Sequence, residues 1–391
     1  MKLRRVLVLW FSRWWVLLGI LASLALPSQQ VQWRACIELK RDLHVPCKCA
    51  VSQEYQRSIE MDCDRVVFTQ DALDSLKQQP IVSISQRKCG HQTLPEELLN
   101  GGLHLRKLDL SGNSIYRLMD RVLQVQPRLQ ELRLADNLLG DSLNPIFSSN
   151  EFHQLEDLRI LDLSRNGLRS IEEGIFKGCE NLEQLYLDGN NLTAVPTASL
   201  KGPKTIRVLS LPGNNIGSLP RAAFSSLGES LLRLDISDNE LSHMEDGALS
   251  GLERLLFLNV SHNDLSRFNS DVFKGAYNLV QLDLSANFLT EFPTDALRHL
   301  ADLKFLNISN NLITEIERVH LSGVTELQVL DLSRNNIGRL GVNTFSSLSS
   351  LTRLDLSLNA LRTVGINTSY CLLFYDLFFY DSLITGGRII F

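Results

Sequence analysis

The side chains with chemistry to offer are cysteines that can pair, asparagines that can carry sugar and histidines that can move protons. Cys36, Cys47, Cys49 and Cys63 crowd into one short segment, with Pro46 beside the middle pair. In a secreted chain four cysteines so placed imply two disulfides, and three pairings are open. A zinc site is disfavoured because Cys47 and Cys49 stand closer in sequence than structural zinc ligands do. Cys179 stands apart and reads as a buried free thiol acting as a small hydrophobe. Four sequons are glycosylation candidates: Asn191-Leu-Thr, Asn259-Val-Ser, Asn307-Ile-Ser and Asn367-Thr-Ser. His243, His262, His299 and His320 are scattered, and there is no Gly-x-Ser-x-Gly, His-Glu-x-x-His or phosphate-binding glycine loop. No catalytic residue, metal ligand or cofactor is therefore assigned, and the chain is not expected to be an enzyme.

What positions these groups is a ladder of asparagines: Asn113, Asn137, Asn166, Asn190, Asn214, Asn239, Asn263, Asn287, Asn311, Asn335 and Asn359. Their spacing is 24 residues, apart from 29 before Asn166 and 25 before Asn239. Each closes one phrase, written by Leu105, Leu108, Leu110, Asn113 and Ile115 and again by Leu279, Leu282, Leu284, Asn287 and Leu289. The last two leucines point to one face of a short strand and their neighbours to the other. The chain then turns at the asparagine, whose amide can satisfy stranded backbone groups when identical amides stack from repeat to repeat. Ten residues past each asparagine stands an apolar residue, including Leu123, Phe147, Phe176 and Phe224, which fills the other wall. Stepping back 24 residues from Asn113 reaches Cys89, with Ile81 and Ile84 in the leucine slots, so residues 81–104 read as a degenerate first repeat.

Phrase and period resemble the leucine-rich repeat. The expected fold is an α/β solenoid: a leucine-rich-repeat horseshoe with a parallel β-sheet on the concave face, short 3₁₀ or extended turns on the convex face, and a disulfide N-terminal cap. A cap is needed because the first coil would otherwise leave its leucines wet and a strand edge open.

Lys2, Arg4 and Arg5 precede an apolar run from Trp14 to Leu26 that ends in small residues and Pro27, the layout of a signal peptide. Arg13 interrupts the pattern, so an uncleaved anchor is the alternative. Cleavage removes Lys2, Arg4, Arg5 and Arg13 and no acidic residue, taking the formal charge from −5 to −9. An acidic chain without basic, aromatic-laced blocks is not a nucleic-acid binder, and nothing after the signal supplies a transmembrane helix. The expected organisation is a signal peptide at 1–28, a cysteine-rich cap at 29–80, the degenerate repeat at 81–104, repeats at 105–370 and a non-repeat apolar tail at 371–391.

A cysteine cluster followed by such repeats is similar to the extracellular leucine-rich-repeat proteins over roughly residues 36 to 361. The long repeat with Gly140, Asp141, Ser142, Leu143, Asn144, Pro145, Ile146 and Phe147 resembles the arthropod chaoptin-like and artichoke-like surface and matrix proteins. That resemblance implies adhesion or matrix organisation, and binding rather than catalysis. It also implies a C-terminal cysteine cap, from which this sequence departs. Tyr375, Phe378 and Tyr380 fall on strand slots, but Ser369 replaces the apolar column and Leu383 the asparagine, and Cys371 is the only cysteine there. The tail therefore reads as the truncated or alternative end of a longer array.

Binding is expected on the concave sheet, at the exposed residue between the last two leucines of each phrase. Asp109, Asp162, Asp235, Asp283, Asp331 and Asp355 form an acidic stripe there, the usual wording of this repeat. Arg133, Tyr186, Phe257 and Phe305 depart from it and are the candidate anchors, since aromatic residues and arginine dominate interfaces. Sugars on both Asn259 and Asn307 would push a protein ligand to the flanks, near 107–189 or 329–358. The expected partner is another extracellular or cell-surface protein, a different molecule or a second copy, in a secreted, matrix or cell-surface setting. The alternative is the ectodomain, here truncated, of a Toll-like immune or signalling receptor.

Overall fold

The computed structural model describes residues 33–36, 45–55, 58–77, 79–100, 103–118, 122–140, 152–364 and 376–378. The signal segment, Phe147, Asn367 and Cys371 lie outside them. Sixteen strands form one continuous sheet. From Ile59–Asp62 onward every neighbouring pair is parallel, and the leucines stand in register, Leu108 beside Leu132, Leu132 beside Leu161, and so on to Leu330 beside Leu354. These middle leucines are 0–1% exposed. No coil could bury them alone, so the sheet stands by stacking.

The return segments are short turns. They hold 3₁₀ pieces at Leu123–Val125, Ser199–Lys201, Ser225–Leu227 and Arg318–Leu321, helical turns at Glu96–Leu99 and Thr294–Leu297, and two small parallel sheets. The apolar column fills the convex wall, and Phe176, Phe224 and Phe273 are fully buried. In the long repeat that role falls to Phe152, buried and stacked on Phe176 at 6.2 Å between ring centroids. The expectation of Phe147 counted forward from Asn137, but counting back from Phe176 passes the insertion and reaches Phe152. Cys179 is a free, fully buried thiol, pushed by burial up to about 12.

The asparagine amides satisfy stranded backbone groups coil after coil, as expected. Each spans two coils through the backbone. Asn287 Nδ2 donates to Leu284 O at 3.1 Å in its own coil and to Val260 O at 3.0 Å one coil earlier. Its Oδ1 accepts the Leu265 N–H at 3.1 Å. The ten coils ending at Asn137 to Asn359 repeat the pattern, and burial leaves these groups no water to turn to.

At the N-terminus, Arg34–Ala35, Lys48–Val51 and Ile59–Asp62 form an antiparallel hairpin and edge. The disulfides are Cys36–Cys49 and Cys47–Cys63, which selects one of the three pairings. Ile81–Ser85 then joins Lys107–Asp109 in parallel, Ile84 beside Leu108. Cys89 holds the ladder position: its N–H donates to Asn113 Oδ1 at 2.9 Å, and its thiol lies 3.6 Å from Cys63 O. At the other end Asp376–Phe378 adds a strand with Leu377, not Phe378, beside Leu354. The last interval is thus one residue shorter than the period, which corrects the expected register. Among the described residues no helix is long and apolar enough to cross a membrane.

Candidate recognition surface

Strand alternation turns two residues of each coil onto the concave face, one before and one after the buried leucine. The column after the leucine carries the aspartates. They were expected to be exposed, yet all six are half-buried or buried, Asp331 at 5%. The reason is local. Each Oδ1 accepts the N–H two residues on, at 2.8–3.1 Å, closing an Asx turn into the asparagine. The stripe is thereby part of the turn machinery. Burial pushes Asp283 up, and Asp331 to about 6, with the neighbouring Asp355 adding to the latter. Among the described residues no group of three or more His, Cys, Asp or Glu side chains could hold a metal ion.

The four candidate anchors fall into two pairs. Arg133 is exposed, its Nε bonded to Glu131 Oε1 at 2.6 Å. Tyr186, two strands away, is half-buried and donates its hydroxyl to Gln184 Oε1 at 2.8 Å. Phe257 and Phe305 belong to the column before the leucine and stand two strands apart, with Gln281 between. Phe305 is half-buried, but Phe257 is only 7% exposed because the Arg233 guanidinium lies over its ring, 3.9 Å from the centroid. Arg233 thus forms the outer surface there, a residue that sequence columns did not single out.

Three further features escaped the sequence reading. The cap reaches onto the first strands: Tyr55 donates its hydroxyl to Gln130 Oε1 at 2.5 Å, Lys107 Nζ meets Glu54 Oε2 at 2.6 Å, and the Arg106 guanidinium stands 5.8 Å from the Tyr55 ring centroid. Sequence offered no signal for it, because the partners are far apart in the chain. Second, Asp188 occupies the slot where most coils place serine; its Oδ1 is buried without a hydrogen-bond partner, and burial raises its carboxyl. Third, the residue two before the buried leucine changes along the array. It is Arg106, Gln130, Arg159, Glu183 and Arg207 in early coils, then Leu232, Leu256 and Val280, and finally Lys304, Gln328 and Thr352. Leu256 is 37% exposed.

The sequons differ too. Asn191 is exposed on a turn. Asn259 and Asn307 are half-buried: their Oδ1 atoms accept the Ser261 and Ser309 N–H groups at 3.0 and 3.1 Å, and their Nδ2 atoms donate to Asp235 and Asp283 Oδ2 at 3.3 and 3.1 Å.

With this geometry in hand, comparison with known proteins gives a consistent picture. The leucine-rich-repeat family profile matches residues 148–192, 204–265, 263–313, 277–337, 303–361 and 325–372, together more than half of the chain. No curated protein matches the sequence significantly. Among solved structures, the Drosophila Toll–Spätzle complex is similar with a TM-score of 0.65 at 20% identity, over 79% of this chain and 40% of that chain. An internalin of Listeria monocytogenes gives 0.60 at 22% identity, over 82% and 86%. A leucine-rich-repeat protein of Leptospira interrogans gives 0.55 at 20% identity, over 83% and 90%. At such identities these likenesses speak to fold. The chain spans two-fifths of the Toll chain it matches.

Proposed function

The chain belongs to the leucine-rich-repeat family, and on that premise we propose that it is a secreted or cell-surface protein that recognises another protein through its concave sheet, in cell adhesion or matrix organisation. On this reading it is a relative in kind of the chaoptin-like and artichoke-like proteins. The observation that carries it is the set of large side chains, Arg133, Tyr186, Arg233 over Phe257, and Phe305, placed on a sheet whose column of aspartates serves the turns. Two disulfides in the cap support an oxidising compartment, since thiols stay reduced in the cytosol.

The experiment is to display the full chain on non-adherent cells and follow aggregation, with itself and with other cell types. Aggregation that survives dilution and is abolished by the soluble chain is expected. Absence of any cell-cell contact, with tight binding of a soluble microbial or cytokine-like ligand instead, would replace adhesion with the receptor-ectodomain reading.

A further inference from the structure

Beside the concave sheet lies a side wall, where each strand runs into its turn. The ladder asparagine is buried there, and the residues just before and just after it are exposed or half-buried in every coil from Asn239 to Asn359. Backbone hydrogen bonds hold these residues in columns. The Phe288 N–H donates to Leu265 O at 2.9 Å and the Leu312 N–H to Leu289 O at 2.8 Å, so Phe288 and Leu312 occupy the same position one coil apart.

The wall changes character along the array. After the asparagine, coils such as those with Ser114, Gly167 and Asn215 place small or polar residues. Phe288 and Leu312 instead put two large apolar side chains side by side, 53% and 41% exposed. The position before the asparagine is left-handed, a slot that Gly189 and Gly213 fill without strain. Leu358 holds it at φ 56° and is 40% exposed, so its bulk serves neither the turn nor the core. Charge is also sorted. On the early wall Arg165 pairs with Asp136 of the neighbouring coil. Later, exposed Asp238, Glu240 and Asp264 precede the apolar pair, and exposed Arg334 and Arg362 follow it. Among the described residues neither guanidinium has an ion-pair partner, nor does Asp264. Asp264 and Arg334 are three coils apart, about 14 Å at the spacing of neighbouring strands, too far to pair within the chain.

The order acidic, apolar, basic is self-complementary. A twofold axis between the coils of Phe288 and Leu312 reverses the coil order, lays one apolar pair on the other, and sets Asp264 of each copy opposite Arg334 of the other. The same axis exchanges the positions before and after the asparagine, and Arg334 stands before its asparagine while Asp264 stands after its own. We propose that the side wall from Asp238 to Arg362 is a self-association surface, on which a second copy of this chain packs antiparallel. Burial of Phe288 and Leu312 drives the contact, and the charged pairs fix its register and orientation. The inference goes beyond the concave-recognition reading and leaves that sheet free.

The test is sedimentation velocity on the full glycoprotein across the micromolar range. A reversible monomer–dimer equilibrium is expected, weakened about tenfold by Leu312→Ser, by Asp264→Arg or by Arg334→Asp, all exposed sites whose folding circular dichroism verifies. Combining the two charge substitutions in one chain should restore the dimer. Mixing the two single variants should also restore it, since each then supplies the charge the other lacks. Arg133→Glu should leave the equilibrium unchanged. A monomer across the range, or a dimer indifferent to these substitutions or further weakened in the double variant, overturns the proposal and leaves concave recognition of another protein standing. A dimer lost with Arg133→Glu but not with Leu312→Ser overturns it too, by placing self-association on the concave sheet.

Discussion

The early and middle coils share one core and differ at one rim. In both, the leucine is buried and the asparagine bonds two coils; but the position two before the leucine is Arg106, Gln130, Arg159, Glu183 or Arg207 early, Leu232, Leu256 or Val280 in the middle, and polar again at Lys304, Gln328 and Thr352. The early strands are also crossed by the cap through Tyr55 and Glu54. The difference teaches where the fold leaves freedom. Positions facing inward must satisfy stacking in every coil, whereas rim positions contribute little to stability and can be given over to recognition.

The sharpest way to break this comparison is to damage what the halves are said to share. Asn190→Ala and Asn287→Ala each strand buried backbone groups, at about 1–3 kcal/mol per group, so both should lose about 3–5 kcal/mol of stability in chemical denaturation. A large loss in one half and none in the other would show that the ladder is not uniform. Next in size is Asp331, a late-coil residue. Its carboxyl is held near 6 in the fold against about 4 when unfolded. The native state therefore binds a proton that the unfolded chain lacks between about pH 4 and 6. This group makes stability fall as pH rises through that window. Asp331→Asn keeps an acceptor for the Ser333 N–H and should stabilise the protein at pH 7 by about 1–3 kcal/mol, with no gain at pH 4. Thermal melts at the two pH values check it, and equal effects would reject the assigned burial. Smallest is Tyr55→Phe, which removes the hydroxyl bonded to Gln130 and should cost about 1 kcal/mol. Hydrogen exchange should quicken around residues 52–60 and 130, and leave coils past residue 233 unchanged.

Glycan mapping sharpens the same comparison. Enzymatic deglycosylation in oxygen-18 water followed by peptide mass spectrometry should mark Asn191, and leave Asn259 and Asn307 unmarked. Occupancy of either would cover the late-coil floor and return ligands to the flanks.

The solenoid was legible because its cause is periodic: leucines at fixed spacing can be buried only by stacking, and an asparagine recurs wherever two backbones must be joined. Even the cysteine substitute at residue 89 followed from counting. Changes of interval shifted the count locally, so that Phe152 stacks on Phe176 in the long coil and Leu377 rather than Phe378 sits beside Leu354. The surface was legible only in part. Arg133, Tyr186, Phe257 and Phe305 stood out as departures from a motif, but the covering of Phe257 by Arg233 depends on packing between strands. The Tyr55 contact depends on how the cap folds back. Half-burial of the aspartates follows from a turn that one column cannot display.

The account's central claim is that a protein partner is recognised on the concave sheet. Its most direct test is aggregation of cells displaying the full chain, compared with cells displaying Arg133→Glu or, on the convex side, Val319→Lys, both exposed sites. The account predicts that Arg133→Glu weakens aggregation several-fold at equal surface expression while Val319→Lys leaves it intact. Equal aggregation by all three, or loss with Val319→Lys alone, would contradict it.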